Sequence, residues 1–412
     1  MSVNRRHLLG AGLALATLPL IGLPALAADD VIRIGVITDM SGPYRDVQGP
    51  TSVAAAKQAA AEFMAENPDI KVEVIAADHQ NKADVGVSVI REWFDQGGVD
   101  MITDIGNSSL ALAARSIVES KDKVAIVTSA GSSDLTGKSC SPNLLHWGWD
   151  SWAVAHSTGS ALVKDGGDKW FFITPDYAYG HAQQADTTKF VEAAGGKVVG
   201  AAVYPFPGTT DFSAYLLQAQ ASGANVIGFT SSGADLGNGL KQAQEFGLPQ
   251  TGIKQAAMIG YINDVMGIGL DVAGGLNLTE TFYWDLNDRT RAFMERIKPS
   301  LPANTFPNMS QAGNYSGVLH YLKAVKAVGV EKAKASGTAV LDAMKAMPTD
   351  DDAFGPGMIR PDGRKIHPAY LFKVKTAAES TGPGDVYTLI SVTPADQAFR
   401  PMSEGGCPLV KP

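Results

Sequence analysis

Short apolar runs rich in β-branched residues alternate with longer amphipathic stretches along almost the whole chain. Val31–Thr38 reads as a strand, and Pro50–Asn67 as a helix with Phe63 and Met64 on its inner face, stopped by Pro68. Ile70–Ala77, Met101–Asp104 and Val124–Thr128 continue as strands, separated by helices at Lys82–Gln96 and Ser109–Ser120. The rhythm restarts after Asp150. Strands are predicted at Lys169–Thr174, Lys197–Val203, Val226–Thr230 and Ala256–Gly260. Helices are predicted at Ser151–Lys164, Tyr179–Ala194, Phe212–Ser222 and Ala234–Phe246. Strands alternating with helices of this length predict two α/β units, each with a parallel sheet covered by helices. Gly275–Trp284 reads as a strand crossing between the units, and later helices fall at Arg289–Lys298, Ser310–Val328 and Ser336–Met347. Gly357–Lys373 is expected to form a hairpin around Pro361-Asp362-Gly363, and Val386–Val392 one further strand in a Pro/Gly-rich tail.

The N-terminal segment Met1–Ala27 does not fit this pattern. Arg5 and Arg6 precede an apolar stretch, Leu8–Leu26, interrupted by Pro19 and Pro24 and ending in Ala25-Leu26-Ala27. This is the layout of a cleaved export signal, twin-arginine-like or Sec-type. Cleavage would remove two positive charges and take the net charge from −8 to −10. The acidic balance argues against a nucleic-acid partner, because no basic surplus exists to neutralise phosphates. Two cysteines, Cys140 and Cys407, exclude a disulfide-dense scaffold. In an oxidising compartment they are expected to pair; the alternative is two buried thiols.

Motifs for catalysis are weak. Gly131–Ser139 (GSSDLTGKS) has one residue too many for a phosphate loop, and Pro142 follows where a helix should begin. Gly267-Ile268-Gly269 lacks the third glycine of a dinucleotide fingerprint, Val272 standing in its place. No G-x-S-x-G occurs, and the histidines are scattered without metal-ligand spacing. Asp350-Asp351-Asp352 reads as a solvated acidic turn before it reads as a cation site. No catalytic residue, metal or cofactor is therefore assigned. A secreted hydrolase with an unrecognised nucleophile is the reading from another class.

The informative segments are Gly/Ser-rich loops after strands, and 44 glycines, about 11% of the chain, accord with many tight turns. Ser41-Gly42-Pro43-Tyr44-Arg45, Gly106-Asn107-Ser108-Ser109 and Ala130-Gly131-Ser132-Ser133 fall in the first unit. Asp176-Tyr177-Ala178-Tyr179-Gly180 and Ser231-Ser232-Gly233-Ala234 take equivalent places in the second. In open α/β sheets, ligands sit at such strand ends. A serine there caps a helix, and the free N–H groups above it attract anions.

With these loops in this order, the sequence resembles the periplasmic solute-binding proteins of ABC importers, in the branched-chain amino-acid-binding-like (type I) group. The resemblance also rests on Ala77-Asp78-His79-Gln80 and the Gly233-Ala234-Asp235 turn, and covers nearly all of residues 30–375. It implies two Rossmann-like lobes joined by a three-crossing hinge that closes on a ligand. The crossings would fall near Asp150, Trp284 and Met347. The first lobe would comprise 28–149 plus 284–347, and the second 150–283 plus 348–412, including the tail. Carried over by position, Ser108, Ser109 and Ser132, with the backbone of Ala130 and Gly131, would surround a ligand carboxylate. Tyr44 and Tyr179 would line the cleft, Ser232 and Gly233 would face it, and Tyr315 would stand at its rim. Where amino-acid-binding relatives place an acid for the α-ammonium, this chain has Gly260-Tyr261-Ile262-Asn263, with Asp264 slightly late. That departure points to a carboxylate without an amine, aromatic or otherwise, or to a small amide, with an amino acid as the alternative. Trp149 would stack on a ring or pack the hinge, and Arg45 would pair with the carboxylate or lie exposed on the rim. The implied partner is an inner-membrane ABC permease, in the periplasm, with a monomeric receptor; a sensor partner of a chemoreceptor or kinase is the other role for the same fold.

Overall fold

The structure, a computed structural model, describes residues 30–411, so the export signal at 1–27 lies outside the described residues. From Val31 onward the chain forms one compact unit built around two main sheets. The first contains β1 (Ile32–Thr38), β2 (Val72–Asp78), β3 (Met101–Asp104), β4 (Val124–Val127) and β5 (Leu144–His146), all parallel, in the order 2-1-3-4-5. The second contains β6 (Lys169–Pro175), β7 (Lys197–Tyr204), β8 (Val226–Phe229) and β9 (Lys254–Ala257), in the order 7-6-8-9. Its four strands repeat the first sheet's order 2-1-3-4, the doubly wound arrangement whose ligand crevice lies beyond the strands' carboxyl ends.

Alternation along each strand feeds two cores per sheet. Ile32, Ile34 and Val36 of β1, with Val124 and Ile126 of β4, face the helices Gly49–Glu66 and Met309–Val328. Ile37, Ala125 and Val127 face the opposite way, toward Leu110, Ala114 and Ile90. In the second sheet Phe171 and Ile173 join one core, and Trp170 and Phe172 the other. Both faces are covered, which is why these strands read as unbroken apolar runs.

The remaining strands depart from the expected partition. β10 (Asn277–Glu280), β13 (Ala369–Val374) and β14 (Tyr387–Thr393) form an antiparallel sheet, and Leu278, Phe372, Val374 and Tyr387 extend the second lobe's core. The hairpin around Pro361-Asp362-Gly363 is shorter than expected. It pairs only β11 (Met358–Ile359) with β12 (Lys365–Ile366), and Arg364 bridges to His146 at the edge of the first sheet. The segment 348–366 thus belongs with the first lobe, and the third crossing lies between Ile366 and Ala369 instead of near Met347. After Thr393 the chain passes back once more. Arg400 donates to the Ser133 carbonyl at 2.7 Å, and Cys407 is bonded to Cys140 with Cα atoms 5.6 Å apart. The segment 394–407 is therefore strapped to the first lobe, where the second was expected. The Ser151–Lys164 helix contains a wider π turn at Ala155–Gly159. No helix of the described residues is long and apolar enough to cross a membrane.

Candidate functional site

The loops at the carboxyl ends of β1, β3 and β4 meet those following β6, β8 and β9 around one small, tightly closed cavity. Tyr44, Val47, Gln48, Gly106, Ser108, Ser129, Ala130, Gly131 and Trp149 line it from one side, and Tyr177, Tyr179, Ser232 and Tyr261 from the other. None of these is charged at neutral pH.

The polar end is built from backbone. Asn107 caps the helix Ser108–Lys121, its side chain accepting from Leu110 N–H at 3.1 Å. Ser108, at the first helical position, is left to face the next loop, and its Oγ accepts the Ser132 N–H at 3.2 Å. Ser129 N–H bonds the Asp104 carbonyl. Between these two, no described residue takes the N–H of Ala130 or Gly131. Such a nest above a helix start suits an anion. Behind it, Asp104 and Ile105 both adopt left-handed backbone, φ +73° and +55°, a conformation that costs non-glycine residues energy and concentrates at functional loops. Asp104 is wholly buried, its carboxyl pushed up by desolvation and held by the Ser129 hydroxyl. Gln48 donates through Nε2 to the Gly106 carbonyl at 3.0 Å, which leaves its buried Oε1 without a partner.

The rest of the wall is aromatic. Trp149 donates from Nε1 to Ser310 Oγ at 2.9 Å and meets Tyr179 and Tyr261 edge-on, ring centres 5.5 and 6.1 Å away. An added Cβ at Gly131 would lie 2.1 Å from the Trp149 ring, so only glycine lets the indole close over this loop. Tyr179 donates to Gln183, and the Tyr261 hydroxyl accepts from Ser310 at 3.3 Å. Burial pushes the hydroxyl pKa values of Tyr44, Tyr177, Tyr179 and Tyr261 upward, so all four stay neutral. The two sides touch above the cavity. Tyr44 and Tyr177 share a hydroxyl–hydroxyl bond of 2.8 Å, Tyr177 stacks on Phe206 at 4.4 Å, and Ala234 N–H reaches the Pro43 carbonyl at 3.3 Å.

Eight expected residues thus converge on the cavity: Tyr44, Ser108, Ala130, Gly131, Trp149, Tyr179, Ser232 and Tyr261. Ser109, Ser132 and Gly233 sit one position off the lining. Tyr315 belongs elsewhere. It lies within the helix Met309–Val328, donates to Glu62 at 2.6 Å and packs on Phe293, on the side of the first lobe that holds the Gly49–Glu66 helix. Arg45 is exposed beside Asp46 and does not line the cavity. Sequence reasoning does not single out Val47, Gln48, Gly106, Ser129 or Tyr177 as lining residues. For Tyr177 a signal exists, the alternation Tyr-x-Tyr across a helix start, which turns both rings inward.

Asp264 lies outside the cavity, for a structural reason. Its two oxygens accept the N–H of Gly233 (2.8 Å) and of Tyr261 (3.0 Å), and burial raises its pKa to about 7. Other candidate chemistry is also absorbed by structure. Asp350 and Asp352 pair with Arg289, and Asp352 also with Arg296, while Asp351 accepts from Ser316. Lys138 is a surface side chain paired with Asp134. No group of three potential metal ligands occurs among the described residues.

The family model for periplasmic binding proteins matches residues 31–382. A periplasmic binding protein of Burkholderia mallei is 41% identical over 93% of this chain and all of its own, with a TM-score of 0.87. A branched-chain amino-acid ABC transporter periplasmic ligand-binding protein of Burkholderia xenovorans is 38% identical over 92% of this chain and 99% of its own (TM-score 0.78). A Rhodopseudomonas palustris ABC transporter solute-binding protein, solved with 4-hydroxybenzoate, shares the fold at 21% identity (TM-score 0.79; 90% and 98% covered). No curated protein matches the chain.

Proposed function

The chain belongs to the periplasmic binding protein family, and from that premise we propose that it is the receptor of an ABC importer for a small aromatic carboxylate. The carrying observation is the cavity's composition: five aromatic side chains, a hydroxyl and a backbone nest at one end, and no charged side chain. The Ala130 and Gly131 N–H groups and Ser108 Oγ receive the carboxylate, while Trp149, Tyr179 and Tyr261 wall the ring. Gln48 Oε1 accepts from a ring hydroxyl. An α-ammonium would need a free carboxylate in the wall. The sequence's nearest candidate, Asp264, is engaged by two backbone N–H groups, so an amino acid would leave its charge unpaired. The chain's net negative charge does not oppose this, because the anion is held by local dipoles.

Capture proceeds by hinge closure, with Tyr44–Tyr177 and Pro43–Ala234 as the contacts made when the lobes meet. The lobes part to admit the ring and close behind it. The closed monomer then presents both lobes to an inner-membrane permease, after export and removal of residues 1–27, and no chemistry is done on the solute. The second reading, a branched-chain amino acid, is favoured by the 38% identity to the Burkholderia xenovorans protein.

A thermal-shift panel of benzoate, 4-hydroxybenzoate, leucine, isoleucine, short aliphatic acids and amides decides between them. A specific ligand at 100 times its Kd adds ~2.7 kcal/mol of stability. Benzoates are expected to shift the melt, and recovery of unchanged benzoate by mass spectrometry accords with binding alone. A shift by leucine and not by benzoates would overturn the proposal.

A further inference from the structure

Glu280 bears on how the cavity is held in shape. It ends β10 where the chain crosses between lobes, and it is fully buried. Its Oε1 accepts the Ile262 N–H at 2.8 Å and the Tyr387 hydroxyl at 2.8 Å; its Oε2 accepts the Met309 N–H at 3.3 Å. Ile262 and Met309 are each the first residue of a helix, Ile262–Ile268 in the second lobe and Met309–Val328 in the first. First-turn N–H groups have no partner within their own helix. One side chain therefore satisfies the starts of two helices on opposite sides of the cleft.

The sequence neighbours of those two amides are what matter for binding. Tyr261 precedes Ile262, and Ser310 follows Met309. Ser310 donates to the Tyr261 hydroxyl and receives the Trp149 indole N–H. Thr281, next to Glu280, donates from Oγ1 to the Gly148 carbonyl beside Trp149. We propose that Glu280 is a positioning residue for the ligand site: from the hinge it sets the spacing of Tyr261 and Ser310, and through Ser310 the angle of Trp149. The ligand arm of this inference rests on the site reading above; the backbone arm does not.

Glu280→Gln keeps the size but puts an amide NH2 where one oxygen accepted, so at least one N–H loses its acceptor. Hydrogen exchange on the ligand-free full-length protein is expected to quicken at least tenfold at Ile262 or Met309. Calorimetry with 4-hydroxybenzoate, at a temperature where the variant is fully folded, is expected to give at least tenfold weaker binding. In a Tyr261→Leu background the same change should cost several-fold less than in the wild type, because one of the two groups it acts through is gone. Unchanged exchange at both amides, or an equal loss in both backgrounds, overturns the inference. If the wild type does not bind 4-hydroxybenzoate, the ligand reading fails, and the exchange measurement alone decides whether Glu280 holds both helix starts.

Discussion

Replacing Gly131 by alanine places a methyl group where the structure has an indole. The added Cβ would lie 2.1 and 2.2 Å from two Trp149 ring atoms and 2.9 Å from Tyr179 Cε2. Ordinary contact begins near 3.4 Å, so the ring must withdraw to make up the difference. It has nowhere to go. Its Nε1 is tied to Ser310, and Tyr179 and Tyr261 press on it edge-on. Overpacking of this kind costs ~1–3 kcal/mol, and a comparable loss falls on any ligand that packs there, about 30-fold in affinity for ~2 kcal/mol. Melting and calorimetry with 4-hydroxybenzoate measure the two effects. Gly267→Ala is the control. Nothing lies within 4 Å of its added Cβ, and it sits in the helix Ile262–Ile268, so stability should rise by ~0.5–1 kcal/mol. A Gly131→Ala protein with wild-type melting and wild-type affinity would refute the assignment of Trp149 as a fixed wall.

Ser108→Ala removes one charge-assisted bond to a carboxylate and should weaken benzoate binding by ~1–3 kcal/mol, and because its Oγ also takes the buried Ser132 N–H, ligand-free melting should fall as well; equal affinity would mean that Ser108 only braces Ser132. Serine at Cys140 and Cys407 opens a loop of 267 positions; the chain-entropy limit is about 5 kcal/mol, and limited proteolysis should then release the 394–411 tail first. Asp264 and Glu280 are raised by burial to about 7 and about 8. The folded state then binds more protons than the unfolded one above pH ~4, so their contribution is complete below that and is lost as pH rises toward 8. Read as the difference between the two proteins, Asp264→Asn should lose less stability than wild type as pH rises from 5 to 8; a pH dependence of melting identical to wild type would contradict the neutral buried carboxyl.

Much of this architecture is legible because the sheets are buried on both faces. The runs at Ile32–Thr38 and Val226–Phe229 can pack only as inner parallel strands, and a serine or glycine after each marks the ligand edge. The C-terminal quarter is less legible. Ala369–Val374 and Met358–Ile359 are both apolar and flank a turn, yet they belong to different lobes. The pairing of Arg364 with His146 decides this, and it joins segments far apart in sequence that no local pattern connects. Tyr315 shows the same limit: a helix position alone does not tell a cleft aromatic from one that packs on Phe293. Glu280 was silent in the sequence because its role depends on two helix starts that only the fold brings to one point.

The most direct test is a crystal structure with 4-hydroxybenzoate. It should place the carboxylate on Ser108 Oγ and the N–H groups of Ala130 and Gly131, with the ring against Trp149, Tyr179 and Tyr261 and the lobes closed at Tyr44–Tyr177. An amino acid in that cavity, its ammonium on a carboxylate released from Asp264 or Glu280, would contradict the account.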